Sequence, residues 1–139
     1  MIIVALDIGD KRIGIAKNSP IGDMALPLET LHRKSLAYDL DYLVNLFKKV
    51  GAELIVCGLP VNFDGSESEQ TVKTRYFINK LKEKTSIPID TADERCTTMQ
   101  ARSLLLEADV SRADRKKVID KIAASYILED YLRKLSASK

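Results

Sequence analysis

Two short runs constrain the fold more than any other feature of the chain: Ile2-Ile3-Val4-Ala5-Leu6 and Leu54-Ile55-Val56-Cys57-Gly58-Leu59. Each is too short for a helix and too continuous for a strand with one wet face. Both therefore describe strands buried on two sides, and other elements must cover both faces of the sheet they join. The first run ends in Asp7-Ile8-Gly9-Asp10 and the second in Pro60, so polar turns follow their C-terminal ends. Ile13-Gly14-Ile15-Ala16 resumes after a tight Asp10-Lys11-Arg12 connection, as an antiparallel hairpin partner does. Met24 to Leu31 can supply a third strand, with Pro27 placing part of it at an edge or bend.

From Ser35 the period becomes helical. Leu36, Leu40, Leu43, Val44, Phe47 and Val50 share one face, Ser35 can cap the start and Gly51 stops it. After the second apolar strand, Val61 to Gly65 reads as a loop. Ser66 and Glu69 have the capping-box spacing for a helix running through Leu81 and Lys84. Ile87 to Thr91 is a weaker fifth strand leading into Ala92-Asp93-Glu94-Arg95-Cys96, and Thr97 with Gln100 opens a helix over Met99 to Leu106. A polar connection from Asp109 to Asp114 precedes a last helix carrying Val118, Ile119, Ile122, Ala123, Tyr126, Ile127 and Leu132. The pattern is α/β: a mixed five-stranded sheet with a three-strand antiparallel start, then parallel strands, and helices on both faces. With 139 residues, 45% of them hydrophobic, the expectation is a single domain over 1–139 with its own core.

The charge balance is close to neutral, with 22 Lys and Arg against 20 Asp and Glu, so any nucleic-acid footprint must be local. Cys57 and Cys96 lie far apart and His32 is the single histidine, which excludes a zinc-type cluster. No apolar stretch approaches the roughly 20 residues of a membrane span. Met1-Ile2-Ile3-Val4 lacks the charged start of a signal peptide, so the expectation is a cytoplasmic protein without membrane contact.

Three acids stand where chemistry could use them. Asp7 closes a buried strand, where a carboxylate is costly unless hydrogen-bonded, paired or bound to a cation; a simple turn aspartate bonding nearby amides is the plain alternative. Glu94 follows the fifth strand, on the edge where open α/β sheets place their crevices, although Asp93 and Glu94 would equally serve a helix N-terminal dipole. Asp120 borders the apolar stripe of the last helix with Ala124, Ile127 and Tyr131, and an acid there wants a partner, for which Lys116 and Lys117 are nearby candidates. Converging, the three could hold two divalent ions that clamp the attacking and leaving oxygens of a phosphodiester. Basic residues cluster beside them: Lys11, Arg12, Arg95, then Arg112, Arg115, Lys116, Lys117 and Lys121. Such runs usually form solvated faces, but beside the acids they suit a phosphate-binding rim, to which Asn62 can add a polar contact.

Asp-Ile-Gly-Asp-Lys-Arg-Ile-Gly at 7–14, Gly-Leu-Pro at 58–60 with Asp64-Gly65, Asp-Glu-Arg at 93–95 with Thr97-Thr98, and Asp120 before Ala123-Ala124 closely resemble the YqgF family, also called RuvX. The resemblance covers almost the whole chain. It implies a ribonuclease H-like fold, Mg²⁺ or Mn²⁺ dependence, a cytoplasmic location, and nuclease action at the 5′ end of 16S rRNA precursor in ribosome biogenesis. It carries the catalytic and metal-binding role to Asp7, Glu94 and Asp120. The chain departs from related nucleases after its fourth strand, where Leu59, Pro60 and Asn62 stand instead of an acid, and Asp10 adds a negative charge near the phosphate path.

The leading expectation is a metal-dependent endonuclease acting on structured or precursor RNA, as a monomer or weak homodimer. A Holliday junction resolvase-type DNase is its substrate variant, and would require a symmetric dimer. A non-catalytic binding factor for RNA or ribosome-assembly particles is the alternative of a different class, with binding that survives neutralisation of the acids. Nucleotide-binding domains of the actin and sugar-kinase type share the Asp-x-Gly turn but need a second lobe, for which 139 residues leave no room.

Overall fold

The structure, a computed structural model, describes residues 1–19, 24–62, 64–93 and 112–137, with the side chains of the last segment described from 120 to 135. Five strands form one sheet: β1 (Ile3–Ile8), β2 (Arg12–Asn18), β3 (Ala25–His32), β4 (Leu54–Leu59) and β5 (Ile89–Asp93). Their order is β3-β2-β1-β4-β5. β2 pairs antiparallel with β1 and β3, whereas β4 pairs parallel with β1 and β5. The two apolar runs are thus the neighbouring central strands, as their uninterrupted hydrophobicity requires. Pro27 sits on the edge strand β3, beside a register shift opposite Ile15 and Ala16, where its missing N–H costs no ladder bond.

Strand alternation divides the core. Val4, Leu6, Ile8, Ile13, Ile15, Ile55 and Cys57 point to one face, where α1 (Leu36–Val50) adds Leu40, Leu43 and Phe47 and α2 (Glu69–Lys84) adds Phe77, Ile78 and Leu81. Ile3, Ala5 and Val56 point to the other, under Ile127, Leu128 and Leu132 of α3 (Arg112–Ala137). Both faces are covered, and Cys57 is wholly buried in the first cluster.

The ends of α1 follow expectation: Ser35 Oγ accepts from Tyr38 N at 3.1 Å, and Gly51 closes the helix in the left-handed conformation with φ of 73°. Tyr42 on α1 donates to Glu29 on β3; that bond, followed by burial, pushes the phenol up to about 12, so it stays a neutral donor through the ordinary pH range. Three other boundaries differ from expectation. α2 is capped by Ser68 and Thr71, which bond reciprocally, and not by Ser66 and Glu69. The hydroxyl of Ser66 is taken by Asp64 Oδ1 at 2.6 Å and by the Asn62 amide at 2.9 Å, so it belongs to the loop. β5 starts at Ile89 because Pro88 has no N–H to give; its carbonyl instead receives Ile55 N at 2.9 Å. α3 begins at Arg112, within the segment expected to connect. The helix expected over Met99 to Leu106 lies outside the described residues.

α3 lies against β1, β2 and β3, and one glycine sets how closely. A Cβ on Gly14 would sit 1.9 Å from the carbonyl oxygen of Asp120 and 2.9 Å from Lys121 N. Both are backbone atoms, so no side chain can rotate aside. Tyr131 fixes the distal half of the helix, its hydroxyl donating to Asp90 Oδ2 of β5 at 3.0 Å; burial, then that bond, raises its pKa. Gly14→Ala therefore pushes α3 off the sheet, with an expected loss of about 2 kcal/mol or more in urea unfolding, at the upper end of overpacking costs. An unchanged unfolding midpoint would show that the helix does not rest on this strand position.

Candidate active site

Asp7 is the fifth residue of β1, after Ile3 and Ala5 on the face that α3 covers. The antiparallel register places it directly opposite Gly14. Opposed residues of an antiparallel pair share a face, so Asp7 stands beside the patch of Gly14 on which the backbone of Asp120 rests. The backbones of two acids 113 positions apart in the chain (120 less 7) thus both adjoin one residue without a side chain. Arg12, two positions before Gly14 on the same strand, projects to the same face. Its Nε donates to Asp120 Oδ2 at 2.6 Å, with 28% of the Arg12 side chain and 19% of the Asp120 side chain exposed. Among the described residues, the partner of Asp120 is this strand arginine; Lys116 and Lys117 lie in the part of α3 whose side chains are not described.

The turn after Asp7 is held from the opposite face. Gly9 N donates to Arg12 O at 2.9 Å, and Gly9 O accepts from Arg33 Nη1 at 2.8 Å. Arg33 Nε also pairs with Asp39 Oδ2 at 2.9 Å, while Lys34 N donates to Asp39 Oδ1 at 3.1 Å. Asp39 is 1% exposed, and the Arg33 guanidinium lies 4.9 Å from the centre of the Phe77 ring. Arg33 N donates to Lys11 O at 2.9 Å, adding a backbone tie. Sequence reading missed this strut, although its sign is present: Asp39 interrupts the apolar stripe of α1 between Leu36 and Leu43, and a buried acid there demands a cation.

Lys11 and Asp10 are exposed on the turn, with Asp10 3.8 Å from Lys73 of α2 at the mouth of a groove of about 660 Å³. Asn62 spends its amide on Ser66 in the loop after β4. His32 is exposed, at the end of β3. β5 ends at Asp93, on the edge where β1 and β4 also end. Glu94 and Arg95 come next in the chain and lie outside the described residues, as do the side chains of Arg112, Arg115, Lys116 and Lys117. The structure therefore pairs Arg12 with Asp120 and sets Asp7 opposite the glycine on which the Asp120 backbone rests; among the described residues no group of three Asp, Glu, His or Cys side chains could hold a metal ion.

The family model described as "RuvX: Holliday junction resolvase" matches residues 1–134. The chain belongs to the RuvX family. A relative from Clostridium novyi is 46% identical over 132 residues, covering 95% of this chain and 98% of its own. One from Clostridium botulinum is 46% identical over 136 residues, covering 98% and 99%. Both are named "Putative pre-16S rRNA nuclease". Among solved structures, Thermus thermophilus RuvC in complex with a Holliday junction aligns over 99% of this chain and 97% of its own, with a TM-score of 0.63 at 11% identity. The fowlpox virus resolvase bound to junction DNA aligns over 97% and 99%, with a TM-score of 0.61 at 12% identity. At these identities the likeness shows the ribonuclease H-like fold. As a member of this nuclease family, the RuvX chain is a hydrolase of phosphodiester bonds.

Asp39→Ala leaves the Arg33 guanidinium without its buried counter-charge, and a loss of about 3–5 kcal/mol in urea unfolding is expected. Arg33→Met combined with Asp39→Leu should recover most of it. A loss below about 0.5 kcal/mol in the single variant would mean that the strut does not hold the turn.

Proposed function

We propose that this RuvX chain is a divalent-metal-dependent endonuclease that processes the 5′ end of 16S rRNA precursor in the cytoplasm, with Asp7, Glu94 and Asp120 as its metal-binding and catalytic carboxylates. What supports the reading is that Asp7, near the end of β1, lies opposite Gly14, and that the backbone of Asp120 rests on the same glycine. The donor set fits the ion. These are hard carboxylate oxygens with neither thiolate nor imidazole beside them among the described residues, the chemistry that suits Mg²⁺ or Mn²⁺. Glu94, next in the chain after β5, is the third donor in this reading.

Held by Asp7, Glu94 and Asp120, such ions would supply charge neutralisation at the phosphate and would lower the pKa of a nearby water. The chain does the rest. Asp7 and Asp120 fix the donor positions on two elements that Gly14 locks together. Lys11 and Arg12 lie at the same turn and meet the phosphodiester backbone, and Arg95, Arg112, Arg115, Lys116 and Lys117 extend the cationic rim, with Asn62 a polar contact at the neighbouring strand end. The RNA substrate of this reading rests on the names of the relatives at 46% identity. Branched DNA is the second reading, favoured by the description of the matching family model.

The test is cleavage of precursor rRNA, single-stranded RNA and a four-way DNA junction in Mg²⁺ or Mn²⁺. Precursor rRNA is expected to be cut, and Asp7→Asn to lower the rate by at least about 100-fold while its circular dichroism and unfolding midpoint stay native. Undiminished cleavage by Asp7→Asn removes Asp7 from the mechanism. Cleavage of the junction alone replaces the RNA reading with the DNA one.

A further inference from the structure

We propose that Arg12 is a latch on Asp120: it holds the carboxylate while the site is empty of substrate, and transfers to a substrate phosphate as the cation is taken up. The proposal rests on the reading of Asp7 and Asp120 as cation ligands, and adds to it a coupling between cation and RNA that the arginine creates.

The geometry carries the first half. The Arg12 guanidinium lies 2.6 Å from Asp120 Oδ2, and the two side chains are both mostly buried, so the carboxylate charge is offset at short range where solvent screens it only in part. A divalent ion approaching Asp120 meets a neutralised acid and a resident positive charge. Tight cation binding therefore requires the ion pair to open. The backbone of Asp120 is pinned against Gly14, so the pair opens by side-chain rotation, and Arg12 has the longer and more exposed side chain.

The second half follows from where Arg12 is anchored and what it is. It is the first residue of β2, next to exposed Lys11 and at the end of the sheet where Asp7 stands, with about a quarter of its side chain open to solvent. A guanidinium presents the same planar donor fork to a carboxylate and to a phosphate, so it can exchange one for the other with little loss of hydrogen bonding. A phosphodiester at the site thus offers Arg12 a new partner and frees Asp120 for the ion. Because binding couplings are reciprocal, the ion must strengthen RNA binding by the same factor. Asp39 and Arg33, by contrast, are locked by three further contacts and cannot act this way.

The experiment measures Mn²⁺ binding by the electron paramagnetic resonance signal of the free ion, with and without a fully phosphorothioate single-stranded RNA, for wild type, Arg12→Gln and Asp7→Asn. In wild type, RNA should tighten Mn²⁺ binding about two- to fivefold, the scale of a partly exposed ion pair. Arg12→Gln should bind Mn²⁺ about two- to fivefold tighter without RNA, bind RNA more weakly, and show little further tightening when RNA is added. Equal Mn²⁺ affinity in wild type and Arg12→Gln, with both exceeding Asp7→Asn, overturns the latch and leaves the cation site standing. Absence of Mn²⁺ binding in all three proteins overturns the cation site and the latch with it.

Discussion

The site depends on a contact that contains no functional group. Gly14 has only hydrogen where every other residue has a Cβ, and into that space goes the backbone of α3 at Asp120. The same position is the register partner of Asp7. One small residue therefore sets the spacing of helix and sheet and has both Asp7 and the backbone of Asp120 as neighbours. The apolar cluster of Ile3, Ala5, Val56, Ile127, Leu128 and Leu132 supplies the force that presses α3 inward. Gly14 decides how far inward it comes.

Two ion pairs stand on either side of the β1–β2 turn, and their burial separates their roles. Arg33 and Asp39 are enclosed by α1 and α2, share further hydrogen bonds with Gly9 and Lys34, and act as a fixed strut. Arg12 and Asp120 share one short contact on the α3 face, nearer to solvent, and can part without leaving a charge stranded in the core. The turn between Asp7 and Gly14 is rigid on one side and adjustable on the other.

Much of this was legible in the sequence, for local reasons. The two uninterrupted apolar runs became the central parallel pair, Pro27 fell on an edge strand, and Ser35 and Gly51 bounded α1. The α2 cap was misplaced by two residues because Asp64 and Asn62 compete for the Ser66 hydroxyl, and a threonine does at the third helical position what a glutamate was expected to do. The partner of Asp120 was not legible from helical spacing, since it depends on which strand α3 crosses. Alternation along β2 did contain the answer: Arg12 and Gly14 share the face of Asp7, and a glycine there invites a close neighbour. Asp39 was a similar sign, an acid in the apolar stripe of α1, whose meaning emerged only with Arg33 opposite.

The proposed function requires Asp7 and Asp120 to be two walls of one cation site. The most direct measurement is anomalous X-ray scattering from crystals of the protein soaked in Mn²⁺. A manganese peak in direct coordination with carboxylate oxygens of both Asp7 and Asp120 is expected. A peak ligated by neither acid, with both side chains ordered, would contradict it.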